Sequence, residues 1–208
     1  IGLSIARALS EKKLNTVVIE KNPSFGEETS SRNSGVIHAG IYYPRSSKKS
    51  EFCKQGNKLL YKYIKERKID FHNCGKLIVA SNEQENDLLL KLKKNAQDIG
   101  TDLIYLNKKE TAKIEPQLNV YSSLLSSTTG ILDIHNFMFN LETDIINNQG
   151  LVIYNSEVSK IIPNQDKIEF ILKNVNKTYS TRILINSSGL NSHKLAKKIT
   201  SLDPKIIP

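Results

Sequence analysis

Apolar residues recur along this chain with two different periods. In residues 1–13, Ile1, Ile5, Ala8 and Leu9 share one face of a 3.6-residue repeat, which predicts a helix. Residues 16–20, Thr-Val-Val-Ile-Glu, form a short apolar run closed by an acid, the pattern of a buried parallel strand. Residues 23–43 carry neither period and read as one long, polar, glycine-bearing loop, a length at which loops usually have a function. Helical spacing returns over 48–67, with Phe52, Gly56, Leu59, Leu60, Tyr63 and Ile64 on the apolar side. A strand at 77–80 precedes a helix over 83–100 whose face carries Leu88, Leu89, Leu92, Ala96 and Ile99.

The second half alternates faster. A strand is expected at 102–106, then a short helix opened by the capping-box pair Asn107 and Glu110 and stopped before Pro116. Another strand follows at 120–125. Asp133 is placed to cap a helix carrying Ile134, Phe137, Met138, Leu141 and Ile145, with Gly150 to close it. Strands at 151–154, 157–162, 167–172 and 178–186, the last open to a break, lead through Ser187-Ser188-Gly189 into a final helix near 191–200. The order is α/β at both ends with a mixed segment between, roughly 76–130.

Composition narrows the class. With 38% hydrophobic and 25% charged residues the chain has the balance of a soluble globular protein. No apolar run approaches the ~20 residues of a membrane-spanning helix, and no basic-then-apolar leader opens the chain. Two cysteines, Cys53 and Cys74, are too few for a disulfide framework and fit a reducing compartment. The net charge of +9 is mostly lysine interspersed with acids and amides, without Trp or a basic stripe laced with aromatics. That pattern reads as solvated surface and argues against nucleic acid, while attraction to an anionic substrate or membrane surface stays open. The chain opens on Ile1, its one Met is Met138 and it stops at Pro208, so it is read as a fragment.

Candidate chemistry begins at the N-terminus. A dinucleotide-binding βαβ unit needs a glycine-rich turn into a helix and an acid about 20 residues on for the ribose. Gly2 would be the last glycine of that turn, and Glu20 lies 18 positions later at the end of an apolar run, with Lys21 beside it. The same residues read equally as a helix-packing glycine and a strand-ending acid. The segment Ser30-Ser31-Arg32-Asn33-Ser34-Gly35-Val36-Ile37-His38-Ala39-Gly40-Ile41-Tyr42-Tyr43-Pro44 separates the two readings. Hydroxyls, an arginine, a histidine and two glycines in so short a span suit a loop wrapped round a large cofactor. A nicotinamide-dependent dehydrogenase would account for Gly2 and Glu20 but not for this loop.

The loop resembles that of the L-2-hydroxyglutarate dehydrogenase/oxidase family, flavoproteins of the D-amino-acid-oxidase-like superfamily. The resemblance continues through Cys53, Gly56 and Leu59-Leu60-Tyr61-Lys62-Tyr63, then Cys74-Gly75-Lys76-Leu77-Ile78-Val79-Ala80. It recurs at Glu115-Pro116, Thr129-Gly130-Ile131-Leu132-Asp133, Glu157-Val158 and Ser188-Gly189-Leu190. It implies an α/β fold, a Rossmann-like FAD-binding domain with an inserted mixed α+β substrate domain, incomplete at both ends. The implied segments are 1–75 for the first part of the FAD-binding domain, 76–130 for the insertion and 131–208 for the return.

The resemblance also implies non-covalent FAD. Gly2 would face its pyrophosphate, Glu20 the adenosine ribose, and Ser31, Arg32, Asn33, Ser34, Gly35, His38 and Gly40 the pyrophosphate and flavin ring, with Lys21 a further cofactor-binding candidate. Val158 would meet the adenine through its backbone, and Ser188 and Gly189 would pass the cofactor. The implied reaction is oxidation of a small anionic 2-hydroxy acid, L-2-hydroxyglutarate to 2-oxoglutarate, by hydride transfer to flavin N5. His38 is the candidate base, read equally as a histidine held within a packed loop. Oxygen or a quinone would accept the electrons in a cytoplasmic protein, and a quinone would call for peripheral contact with the inner membrane.

Alternatives of the same superfamily act on amino acids or glycerol 3-phosphate, and a flavin-binding partner protein without turnover is a further one. Where several family members carry a Tyr after the Gly-Ile-Val-Asp block, this chain has Ile134-His135-Asn136-Phe137-Met138, which bears on the substrate. Arg32 and Arg45 are candidate carboxylate or phosphate partners, and Tyr42 and Tyr43 candidate cavity walls. His72, His135 and His193 share no metal-ligand spacing, so no metal is expected. Cys53 and Cys74 are read as packing residues.

Overall fold

The computed structural model of the chain describes residues 1–203 and Lys205. They form two compact units, one from Ile1–Asn33 with Ile134–Pro208 and one from Ser34–Asp133. This division into compact units falls at 33/34 and 133/134, whereas the expected segments 1–75, 76–130 and 131–208 are divided by cofactor and substrate role. The reason is pairing: the strand just after residue 35 and the one just after residue 70 both bond to a strand at 130–132, which holds the whole stretch together. The end of the expected 131–208 segment, residues 204 and 206–208, lies outside the described residues.

In the first unit, helix α1 (Gly2–Glu11) leads into strand β1 (Val17–Ile19). Its buried line runs through Ala6 and Ser10, with Ala8 exposed, a shift in phase from the expected face. In the second unit, β2 (Val36–Ile37) lies inside the expected loop and is followed by α2 (Lys48–Glu66). Ser47 caps α2 by accepting from Ser50 N–H. Tyr63 and Ile64 are buried on it, whereas Phe52 and Leu59, expected on the inner face, are 61% and 67% exposed. Strand β3 (Phe71–His72) is followed by β4 (Lys76–Ala80), helix α3 (Glu83–Asp98), β5 (Ile104–Asn107) and α4 (Lys108–Ile114). The Asn107–Glu110 capping box forms as the sequence predicts. Strands β6 (Ser122–Ser126) and β7 (Gly130–Leu132) complete the unit.

Two three-stranded sheets result, ordered β2-β7-β3 and β4-β6-β5, both antiparallel. The core of the unit, Ala39, Ile41, Ala80, Leu89, Ala96, Leu103 and Leu124, is built where α3 and the segment after β2 cover the β4-β6-β5 sheet. Burying such side chains stabilises by about 25 cal/mol per Å² of apolar surface removed from water.

The chain then returns to the first unit with α5 (Ile134–Asn147) and β8 (Leu151–Ile153). The left-handed residue after α5 is Gln149, at φ 67°, rather than Gly150. Gly150 is needed for space instead, since a Cβ there would come 2.6 Å from Ile145 Cγ2. Strand β8 runs parallel to β1, with Val17, Val18 and Ile19 opposite Leu151, Val152 and Ile153. Val17 is 46% exposed, so β1 is not the fully buried strand expected. Helices α1 and α5 pack together, and Arg7 Nε donates to the buried Asp144 carboxylate at 2.9 Å. An antiparallel sheet of β9 (Val158–Pro163), β10 (Ile168–Leu172) and β11 (Thr178–Thr181) follows, then α6 (Ser192–Ala196). The expected strand to 186 stops at Thr181, and the expected final helix is shorter than predicted.

Candidate cofactor and substrate residues

In the first unit the carboxyl ends of the parallel pair carry the candidate residues. Beyond the strands themselves the backbone stays zipped: Glu20 N–H donates to Ile153 O at 2.8 Å, Ser156 N–H to Glu20 O at 2.8 Å and Asn155 N–H to Asn22 O at 3.0 Å. This fixes Glu20, which is half-buried. Its Oε1 accepts from Asn22 N–H at 2.9 Å, and Oε2 has no protein partner among the described residues. Open α/β sheets bind their ligands at the carboxyl ends of parallel strands, so the position suits a ligand donor.

Lys21 points elsewhere. Its ammonium pairs with Glu28 at 2.5 Å, and the hydrogen bond and charge of Glu28 raise its pKa while lowering that of Glu28. Ser31, Arg32 and Asn33 lie on an exposed turn at 29–31 and just after it. Arg32 N–H donates to Thr29 O, Ser31 Oγ to Glu28 O and the Asn33 amide to Ser30 O. Gly2 opens α1, where a Cβ would stand 3.3 Å from Ser187 Cβ, so the helix start and the 187–189 turn approach closely. In that turn Ser188 donates through N–H and Oγ to Asn186 Oδ1, and Gly189 has φ 54°. Val158 opens β9, and its carbonyl accepts from Lys198 Nζ at 2.5 Å, the same ammonium that pairs with Glu157. That pair, with Lys173, holds the Glu157 carboxyl below its ordinary pKa.

Sequence reasoning missed Tyr154, which sits just past β8 and donates to Glu142 Oε1 at 2.5 Å. Burial first, then that hydrogen bond and the charges of Glu142 and Glu20, push its hydroxyl pKa well up. An isolated tyrosine at a strand end carries no sequence signal of such a pairing.

The second unit holds Ser34, Gly35, His38 and Gly40. Gly35 (φ 62°) lies on β7: a Cβ would come 2.6 Å from Leu132 O, so only glycine fits. Gly40 (φ 78°) lies against α2, where a Cβ would be 3.1 Å from Cys53 Cβ. Ser34 and His38 are exposed.

The 127–129 turn is a hub for this unit. The Asn57 amide on α2 donates to both His38 O (3.0 Å) and Thr128 O (3.1 Å). Tyr61 OH donates to Thr128 O at 3.3 Å, and Gly75 N–H to Thr129 O at 3.0 Å. Ser126 and Thr129 hydroxyls pair at 2.8 Å beneath it. Asn57 was not legible as a candidate, because one amide within a helix reads as solvated surface. Beyond His38, Lys76 Nζ lies 4.5 Å from the Tyr42 ring centre and Lys49 Nζ 4.7 Å from that of Tyr43.

The remaining candidates scatter. His135 lies against Phe25, ring centres 5.1 Å apart, His72 is in β3 and His193 in α6. Among the described residues no group of three or more His, Cys, Asp or Glu is arranged to hold a metal. Cys53 is half-buried and Cys74 exposed. Arg45 is exposed at an open depression of about 410 Å³ beside Lys54 and Gly100. Among the described residues no helix is long and apolar enough to cross a membrane.

The profile of the DAO family, FAD dependent oxidoreductase, matches residues 1–208. The chain is 34% identical to the mitochondrial L-2-hydroxyglutarate dehydrogenase of Arabidopsis thaliana, covering 100% of this chain and 49% of that protein. The corresponding protein of Dictyostelium discoideum is also 34% identical, over 100% of this chain and 51% of the other. The chain therefore spans about half the length of these curated relatives. Among solved structures, the dithionite-reduced, FAD-bound L-α-glycerophosphate oxidase of Mycoplasma pneumoniae superposes with a TM-score of 0.89. It is 26% identical, over 96% of this chain and 54% of that one.

Proposed function

The chain belongs to the DAO family of FAD-dependent oxidoreductases, and from that footing we propose that the whole protein oxidises L-2-hydroxyglutarate to 2-oxoglutarate. The observation that carries the substrate is the 34% identity to L-2-hydroxyglutarate dehydrogenases, which runs along all of this chain and about half of each relative.

The residues of the first unit fit the cofactor. At Gly2 a Cβ would come 3.3 Å from Ser187 Cβ, so glycine lets the start of α1 and the 187–189 turn lie close together. The N–H groups and dipole of that helix start favour an anion such as pyrophosphate. Glu20 Oε2, without a protein partner among the described residues, suits the ribose hydroxyls. The Val158 backbone N–H and the 188–189 turn would complete the adenine and pyrophosphate contacts. Lys21, engaged by Glu28, would act on the ribose only through its charge.

Bound FAD supplies the hydride acceptor for oxidation of a C–H bond. His38 would take the substrate hydroxyl proton on a ring nitrogen, with its backbone held by Asn57. Gly35 and Gly40 set the path of the loop that presents it. Ser31, Arg32, Asn33 and Ser34 would hold the phosphates through side chains that are exposed in the chain itself. Oxygen or a quinone would take the electrons, in the cytoplasm or at the inner membrane surface.

A second reading, oxidation of glycerol 3-phosphate, is favoured by the 26% identity and TM-score of 0.89 to the L-α-glycerophosphate oxidase. The flavin absorbance of the anaerobic full-length protein separates the two. Bleaching by L-2-hydroxyglutarate with release of 2-oxoglutarate is the expected result. Bleaching by glycerol 3-phosphate alone would replace the first reading with the second, and a yellow protein bleached by neither would reject both.

A further inference from the structure

We propose that Lys76 binds the distal carboxylate of a 2-hydroxy dicarboxylate and so sets the preference for it over monocarboxylates. The inference rests on the reading that the protein oxidises L-2-hydroxyglutarate, and it assigns a residue that the reaction itself does not require.

Lys76 is the first residue of β4, half-buried, opposite Ser126 of β6. A cation taken partly out of water is ordinarily matched by a carboxylate, because its lost hydration must be replaced. Among the described residues Lys76 has none within ion-pair distance. What it faces is the ring of Tyr42, at 4.5 Å from the centroid. A ring face is a weak substitute for a carboxylate, and here a wet one, since Tyr42 is 51% exposed. The other cations near this loop differ. Lys48 is paired with Glu51 at 2.8 Å, Lys54 donates to Ile99 O at 3.0 Å, and Arg45 and Lys49, the latter over the Tyr43 ring, are exposed and keep their water.

Position makes the unmatched charge informative. Lys76 and the His38 loop are rooted in the same turn. Gly75 N–H, one residue before Lys76, donates to Thr129 O, and Asn57 ties His38 O to Thr128 O. Tyr42 follows His38 by four residues and bridges toward Lys76 by its ring. A substrate whose hydroxyl is served by His38 thus has an ammonium anchored to the same 127–129 turn. A second carboxylate on that substrate is the anion Lys76 lacks, and the charge-assisted bond would be made only with a dicarboxylate.

The test uses full-length, FAD-loaded protein and three forms: wild type, Lys76→Met and Lys76→Arg. Met keeps the aliphatic stem and removes the charge, and Arg restores it. The selectivity ratio, kcat/KM for L-2-hydroxyglutarate over that for L-2-hydroxybutanoate, is expected to fall about 10- to 100-fold in Lys76→Met. The loss should appear mainly in KM, and Lys76→Arg should recover most of it. Glutarate, a dicarboxylate that is not oxidised, gives a readout without turnover. Its dissociation constant, from perturbation of the flavin spectrum, should rise by a similar factor in Lys76→Met.

If wild type is bleached by L-2-hydroxyglutarate while Lys76→Met keeps the wild-type ratio and glutarate affinity, the assignment of Lys76 is wrong and the substrate reading stands. Wild type that no 2-hydroxy dicarboxylate bleaches overturns both. Should Lys76→Met fail to fold, Lys76→Arg and Lys76→Gln carry the comparison, and a ratio unchanged in Lys76→Gln rejects the proposal.

Discussion

At the scale of single residues, the carboxyl end of β8 shows how a neighbour's chemistry is set by packing. Tyr154 is part-buried and donates to Glu142 Oε1 at 2.5 Å, which holds its hydroxyl protonated well above the ordinary range. A group whose folded pKa is raised contributes stability that is complete below its unfolded value, about 10, and lost as pH climbs toward the folded value. Tyr154→Phe should therefore cost roughly 1 kcal/mol at pH 8, discounted for its partial exposure. That difference should shrink as pH rises from about 10 to 12. Urea unfolding at stepped pH measures the difference, and ultraviolet titration should lose one late-ionising tyrosine. A constant difference across that range would mean that the Glu142 bond does not govern Tyr154.

At the scale of elements, the period of the long helices was legible but their caps only in part, since Ser47 on α2 and Asn82 on α3 were not singled out. The Asn107–Glu110 box forms as its spacing predicts, because capping is settled by atoms three residues apart. Strands β2, β3 and β7 were not legible: two or three residues show no alternation, and each exists only because a distant strand completes its hydrogen bonds. Gly2 and Glu20 could be named as candidates from spacing. Lys76, Asn57 and Tyr154 owe their interest to partners far away in sequence, which no local pattern encodes.

The finer limit is helical phase. On α3 both Leu88 and Leu89 fit the expected face, yet Leu88 is 61% exposed and Leu89 only 5%. Leu89 packs with Ala80, Ala96 and Leu124 in the core of the second unit. Leu89→Ala should lower unfolding free energy by about 2–5 kcal/mol, because it removes transfer energy and leaves a cavity. Leu88→Ala should stay within about 0.5 kcal/mol of wild type. Chemical denaturation of the two variants side by side decides it, and equal losses would put the wrong leucine inside.

At the scale of the whole molecule, the two units differ in how the chain builds them. Residues 34–133 are one continuous stretch that closes both of its own sheets and carries its own apolar core. The other unit is assembled from two stretches: β1 has its partner β8 beyond residue 150, and α1 packs on α5. Continuity should make the first of these an autonomous folding unit, since ~100 residues suffice for a cooperative core. Expressed alone, residues 34–133 should unfold in urea in a single transition with a slope of ~1–3 kcal/mol/M. Residues 134–208 alone should not, because they lose the parallel pairing with β1 and the Arg7 partner of the buried Asp144. A fragment cut at 75/76, the boundary that the sequence suggested, would sever β2 and β3 from their shared partner β7 and should not fold cooperatively either. Should 1–75 fold and 34–133 not, the folding boundary would return to where the sequence placed it. The structural division at 33/34 would then describe contacts without describing cooperativity.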